Sequence, residues 1–480
     1  MSGLADETRW MDATDQARLV ATGEVTPSEL LEAAIERIEQ SNPALNAVVI
    51  EWFDHARSVA AGSDLPHGPF RGVPFLLKDL YTNFAGQTIS NGNAALKAAG
   101  KIDATDTTLV ARFKGAGLVI AGRTNSPEMG SLPTTQPLAW GPTRNPWALD
   151  RTPGGSSGGA AAAVAAGMVP FANASDGGGS IRIPASCCGV VGLKPSQGRI
   201  TVGPSRAEVG LGVELCVSRT LRDTAGLLDA VCGPGIGDSV IAPPPQRPYV
   251  EEVGADPGRL RVGLLDVHPR REFLHPDCVA AVRSVASTLE ELGHTVEPAW
   301  PACLADTSLP QKFMALWATQ LAMAVRGFGQ ILGRELTADD IEPVNWVHIE
   351  HARRLTALDY AIAEADGWTF RRALQQWWAD GWDLLLTPTV SEPPPPLAEF
   401  ENDPQHPTAP MRRAGQFAAF TPPFNMSGQP AISLPLYRNA EGLPIGIQLA
   451  AAYGREDILI RVAAQLESAH PWLSDHPAIR

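Results

Sequence analysis

The sequence is short of cysteine, of basic runs and, through its middle, of histidine. Its 480 residues hold six cysteines, Cys187, Cys188, Cys216, Cys232, Cys278 and Cys303, and no C-x-x-C pair. Disulfide frameworks belong to small secreted domains. The expectation here is thiols acting as small apolar side chains. No Lys/Arg stretch occurs, and the formal net charge is -14. A nucleic-acid binder needs a basic stripe to displace counterions, so nucleic acid is excluded as an expected partner. Residues Met1 to Trp10 lack the basic start and apolar centre of a signal peptide. The apolar run Ala160 to Ala166 is too short to span a bilayer. The expectation is a cytoplasmic protein with no membrane partner. The missing histidine bears on chemistry: none lies between His67 and His268, the span that holds every serine motif.

What is present is an alternation of strand and helix signals, as in an α/β layer architecture. Thr26, Pro27 and Glu29 form a helix start with a capping box. Apolar residues then recur at helical spacing to Ile38, and Asn42-Pro43 is expected to end the helix. Asn46 to Ile50, Pro74 to Leu80, Gly117 to Gly122, Arg261 to Asp266, Leu384 to Leu386, Ala431 to Leu436 and Ile445 to Leu449 read as strands. Thr107 to Ala116 and Cys278 to Leu292 read as helices. From Thr134 to Gly203 Gly, Ser, Ala and Pro dominate and charges are few. That segment reads as a buried centre where backbones approach closely. Residues 1–480 are expected to form one domain. Leu309 to Trp382 reads as a helical insertion, either a cover over a site or ordinary outer-layer packing.

Two serine clusters carry the chemistry. Gly154-Gly155-Ser156-Ser157-Gly158-Gly159 sets two hydroxyls among four glycines, and Asp176-Gly177-Gly178-Gly179-Ser180 sets three glycines before a serine. Such glycines let backbone N–H groups converge beside a hydroxyl, which is what an oxyanion hole requires. A flexible turn or a phosphate loop is the bland alternative, but no G-x-x-x-x-G-K-[ST] pattern occurs. Serine needs a base. A distant histidine remains open. Lys78, in the apolar run VPFLLKDL, is the other candidate, because burial lowers a lysine's pKa. Taken alone, Lys78 also fits a lysine at a strand end reaching solvent.

Together these pieces resemble the amidase signature family. The resemblance rests on PGGSSGGAAAAVAAGMVP (Pro153 to Pro170) and DGGGSIRIPASCCGVVGLKPSQGRI (Asp176 to Ile200). GVPFLLKDL, RTNSPEMG, GPTRNPW, FNMSGQPAISLPL and GIQL add to it. It covers most of the chain. It implies a large twisted mixed β-sheet with helices on both faces. It implies Ser180 as nucleophile, Ser156 as the bridging serine after a cis peptide, and Lys78 as base. It further implies backbone N–H donors at Gly177, Gly178, Gly179 and Ser180, and an Asp176–Arg182 pair supporting the loop. Met129, Gly130 and Ser131 would line the acyl side of the pocket. The substrate would be a small-molecule amide, with no cofactor and no metal, and homodimers are common in the family. AWGPTRNPW, SIRIPASCCGVVGLKP, FTPPFNMSGQPAISLP and AAYGREDILI look most like the 6-aminohexanoate cyclic-dimer hydrolase branch. One departure stands out: Gly177 occupies a position where Thr or Ile is frequent, and an added glycine would loosen the loop.

Five other readings are weaker. Ser156 as a nucleophile elbow needs a preceding strand, and Arg151-Thr152-Pro153 makes a poor one. An amidotransferase subunit, or a scaffold without activity, would share the fold. His348-x-Glu350-His351 lacks the H-E-x-x-H spacing for zinc, and Gly233-x-Gly235-x-Gly237 lacks the setting of a dinucleotide loop.

Overall fold

The computed structural model describes residues 2–204, 206, 210–403 and 405–478. Among the described residues eleven strands form two sheets. The smaller contains β1 (Val48–Glu51), β2 (Pro74–Lys78) and β3 (Val119–Thr124) in the order β1-β3-β2. The larger contains β4 (Phe171–Asp176), β5 (Val191–Lys194), β6 (Val213–Ser218), β7 (Arg261–Leu264), β8 (Thr295–Pro298), β9 (Leu384–Pro388), β10 (Ala431–Arg438) and β11 (Pro444–Ala451). Its order is β4-β6-β5-β10-β11-β9-β7-β8. Pairing is parallel among β7, β8 and β9 and antiparallel elsewhere in that sheet, so it is mixed.

Helices cover both of its faces. Along β11, Ile445, Ile447 and Leu449 join the main core with Leu459 and Val462 of the helix Glu456–Ala469. On the opposite face Gly446 meets the helix Arg182–Cys188 so closely that a Cβ there would lie 2.7 Å from the Ser186 backbone. Period-2 alternation in the strand produces this division.

The first long helix, Pro27–Leu45, has the Thr26 cap and the Glu29 capping box, but it runs through Pro43 instead of stopping there. Its end is made by Asn46 in the left-handed region at φ 52, while the Asn42 carboxamide accepts the Ala47 and Val48 N–H groups. The segment after β8 forms three helices, Leu309–Leu332, Pro343–Ala352 and Ala357–Ala379. Among the described residues no helix is long and apolar enough to cross a membrane. All six cysteines are free, and Cys187, Cys188, Cys216 and Cys278 are buried.

Candidate active site

The site lies where the edges of the two sheets meet. β2 is the edge of the small sheet and ends at Lys78; β4 is the edge of the large one. The Lys78 N–H donates to Asn173 Oδ1 at 3.2 Å across this junction. Strand alternation places Asn173 and Ser175 on one face of β4. Lys78 Nζ is hydrogen-bonded to Ser156 Oγ at 2.7 Å and to Ser175 Oγ at 2.9 Å. Sequence reasoning overlooked Ser175, since only the junction shows which face of β4 the lysine meets. Ser157 holds the serine loop to the same strand, donating to the Ser175 carbonyl at 3.2 Å. The Gly155–Ser156 peptide is cis.

Exposure separates the three candidate residues. Lys78 is 0% exposed, Ser156 2% and Ser180 8%, so Ser180 is the one that reaches open space. Burial pushes the Lys78 amine down to about 7, with Arg206 acting in the same direction and Glu214 and Asp176 opposing it. Its neutral form is therefore accessible near neutral pH. No hydrogen bond joins Ser180 to Ser156 among the described residues, but both line one small cavity of about 50 Å³ with Ser175. Such contacts often close only when substrate is bound.

The glycines before Ser180 divide their work. Gly179 was expected to contribute an oxyanion donor, and the structure corrects this. Its N–H already donates to Asp176 Oδ1 at 2.7 Å. Its φ of 134 is one that L side chains rarely adopt, and a Cβ would lie 2.2 Å from Thr421 Oγ1. Gly179 thus shapes the loop, while the N–H groups of Gly177, Gly178 and Ser180 make no hydrogen bond among the described residues.

Asp176 and Arg182 are both fully buried and paired at 2.9 Å. Burial would raise the Asp176 carboxyl, but the Arg182 charge and hydrogen bonds outweigh it and hold it well below the usual range. Arg182 also donates to Gln448 Oε1 on β11, to Asn425 Oδ1 and to the Thr421 carbonyl. The loop from Asp176 to Arg182, which carries Ser180, is thereby fastened to the large sheet.

A larger cavity of about 550 Å³ is also lined by Ser180. Its lining includes Gly130, Ser131, Gly178, Ile183, Phe313 and Trp317; Met129 and Gly130 line the small one. Phe313 and Trp317, from the helix Leu309–Leu332, stack at 5.3 Å over the glycines. A Cβ on Gly177 would lie 2.9 Å from the Trp317 ring, and one on Gly178 3.1 Å from Phe313. The extra glycine at 177 therefore does not leave a gap, because the indole occupies the space a side chain would take.

Glu128 is a second residue that sequence reasoning missed. It is buried and accepts from Asn93 Nδ2, Asn345 Nδ2 and the Glu342 N–H at 2.7, 2.7 and 2.9 Å. It ties the Met129–Gly130 wall to the helix Pro343–Ala352. Burial and the neighbouring Glu342 push its carboxyl up. His348 lines the large cavity. Among the described residues no three His, Cys, Asp or Glu side chains are grouped to hold a metal ion.

Comparison with known proteins places the chain in a family. The Amidase family profile matches residues 29–460. A 6-aminohexanoate-cyclic-dimer hydrolase of Paenarthrobacter ureafaciens is 44% identical over 98% of this chain and 97% of its own. A solved 6-aminohexanoate cyclic dimer hydrolase superposes with a TM-score of 0.95 at 43% identity, covering 98% of this chain and 99% of that one. A bacterial aryl acylamidase superposes with a TM-score of 0.86 at 28% identity, covering 99% of each chain. With the profile spanning most of the chain and a near full-length relative at this identity, the protein belongs to the amidase signature family and is an amidase.

Proposed function

We propose that the protein hydrolyses small linear or cyclic amides through an acyl-enzyme on Ser180, with Ser156 and Lys78 relaying its proton. The observation that carries this reading is the 2.7 Å contact between Ser156 and a fully buried Lys78. Ser180 attacks the carbonyl carbon and its proton passes through Ser156 to Lys78. The N–H groups of Gly177, Gly178 and Ser180 receive the oxyanion, each donor being worth about a hundred- to a thousandfold in rate. The proton returns through Ser156 to the leaving amine, and water then hydrolyses the ester on Ser180. The 550 Å³ cavity, walled by Gly130, Ser131 and the Phe313–Trp317 pair, holds the acyl part. The helices Leu309–Leu332 and Pro343–Ala352 contribute Phe313, Met314, Trp317 and His348 to its lining. Relatives named for the 6-aminohexanoate cyclic dimer make a cyclic diamide the first substrate to test. Aryl amides, esters and carbamates are expected as side substrates.

The test is covalent labelling by a fluorophosphonate, mapped by mass spectrometry, together with turnover of cyclic diamides, linear oligoamides, aryl amides and carbamates. Label on Ser180 and hydrolysis by the purified single chain are expected. Label on Ser156 alone would overturn the assignment of the nucleophile.

Two further results follow from the lysine. The pH profile of kcat/KM should rise through about 7 as Lys78 loses its proton. A profile flat from pH 5 to 9 would remove Lys78 as the base. Ser175→Ala should lower kcat about ten- to a hundredfold, because a hydrogen bond to a charged group contributes roughly 1.5–3 kcal/mol. Unchanged kcat would show that the Ser175 contact is not used in the relay.

A further inference from the structure

Lys78 becomes an ammonium when it accepts the Ser180 proton, and it does so with no exposure to solvent. An uncompensated buried cation is costly. The charged groups facing it are Asp176 on β4, Glu214 on β6 and Arg206 on the connection before β6. Asp176 is already neutralised by Arg182 at 2.9 Å. Glu214 stands directly opposite Ser175 in the β4–β6 register. Directly opposed residues in an antiparallel pair share a face, with Cβ atoms about 5 Å apart. Glu214 therefore lies beside the hydroxyl that Lys78 touches. Asn173 ties the two together, accepting the Lys78 N–H at 3.2 Å and facing Glu214 Oε2 at 3.5 Å.

The partner of Glu214 is Arg206, whose Nη2 donates to Glu214 Oε1 at 2.5 Å. The pair is unevenly placed. The Glu214 side chain is 3% exposed and that of Arg206 20%, with the guanidinium lying over the Tyr81 ring. The carboxylate is the inner charge and the guanidinium the outer, partly hydrated one. Water screens the outer charge more strongly. The net field that this pair sets up at Lys78 is therefore negative.

We propose that Glu214 is a positioning residue that stabilises the Lys78 ammonium formed during the relay, with Arg206 as its outward counter-ion. Glu214 takes no proton. The proton moves from Ser180 through Ser156 to Lys78 and back to the leaving amine, while the charge of Glu214 sets how readily Lys78 holds it. This rests on the reading of Lys78 as the base.

The experiment is the pH dependence of kcat/KM for an aryl amide, measured on the full chain of wild type, Glu214→Gln, Glu214→Asp, Arg206→Met and Lys78→Ala. Glu214→Gln removes the negative charge and should move the acid limb down by about one pH unit. Glu214→Asp keeps the charge and should hold the limb at the wild-type position. Arg206→Met removes a positive charge and should move the limb up. If the Glu214→Gln limb coincides with wild type while Lys78→Ala is inactive, the proposal is overturned and the relay stands. An Asp limb displaced as far as the Gln limb overturns it too, since packing and not charge would then be the cause. Activity retained in Lys78→Ala would instead overturn the relay itself. Should Glu214→Gln fail to fold, Arg206→Met decides alone, and an unmoved limb there ends the proposal.

Discussion

Ser180→Ala is expected to abolish amide hydrolysis, lowering kcat by about ten-thousandfold to a millionfold while the protein stays folded. The variant removes the hydroxyl proposed to form the acyl-enzyme and leaves the cavity lining, the loop amides of Gly177, Gly178 and residue 180, and the Asp176–Arg182 support in place. Ser180 retains 8% exposure, so loss of its hydroxyl should cost little in packing. Lys78→Ala should fall by a comparable factor, because residues acting as one unit are strongly non-additive. The double variant should be no slower than Ser180→Ala alone. Steady-state rates on the best substrate of the panel, with circular dichroism as the check on folding, measure this. Wild-type turnover by Ser180→Ala would refute the mechanism.

Arg182→Met is expected to be the most destabilising single change near the site. It leaves the buried Asp176 carboxylate without its cation, and breaking a buried pair by removing one partner costs about 3–5 kcal/mol. The bonds to Gln448, Asn425 and Thr421 are lost with it. Urea unfolding at pH 7 gives the magnitude. The pH dependence gives the sign. In the wild type Asp176 has a folded pKa below its ordinary 3.8. Its pair therefore contributes stability that is fully present above that ordinary value and is lost as pH falls toward the folded one. In Arg182→Met the main charge opposing burial is gone, and although Lys194 and the bonds from Asn425 and the Gly179 N–H still favour the carboxylate, the carboxyl should rise, so the deficit should shrink as the solution is acidified from pH 7 to 5. A deficit that stays constant over that interval would show that the lost packing, not the orphaned charge, is responsible.

Sequence alone settled a good part of this protein. The Thr26 cap and the strands around Lys78 and β9 follow from periodicity and turn residues, which report local backbone preference. Lys78, Ser156 and Ser180 were legible as candidates because glycine density and the absence of histidine are properties of the chain itself. Asp176 and Arg182 were legible because opposite charges in an apolar segment must find partners.

Tertiary structure decided the rest. Ser175 sits 97 positions from Lys78 and meets it only because the edge strands of two separate sheets come together. The role of Gly179 depends on Asp176 and Thr421 closing around it, so three glycines that look alike in sequence prove unequal in space. Gly177 reads as a loosening until Trp317, from a helix far along the chain, fills the volume beside it. Glu128 and Glu214 were invisible for the same reason. A buried carboxylate acquires meaning from which donors and charges the packing brings to it, and residue spacing along a chain carries no record of that.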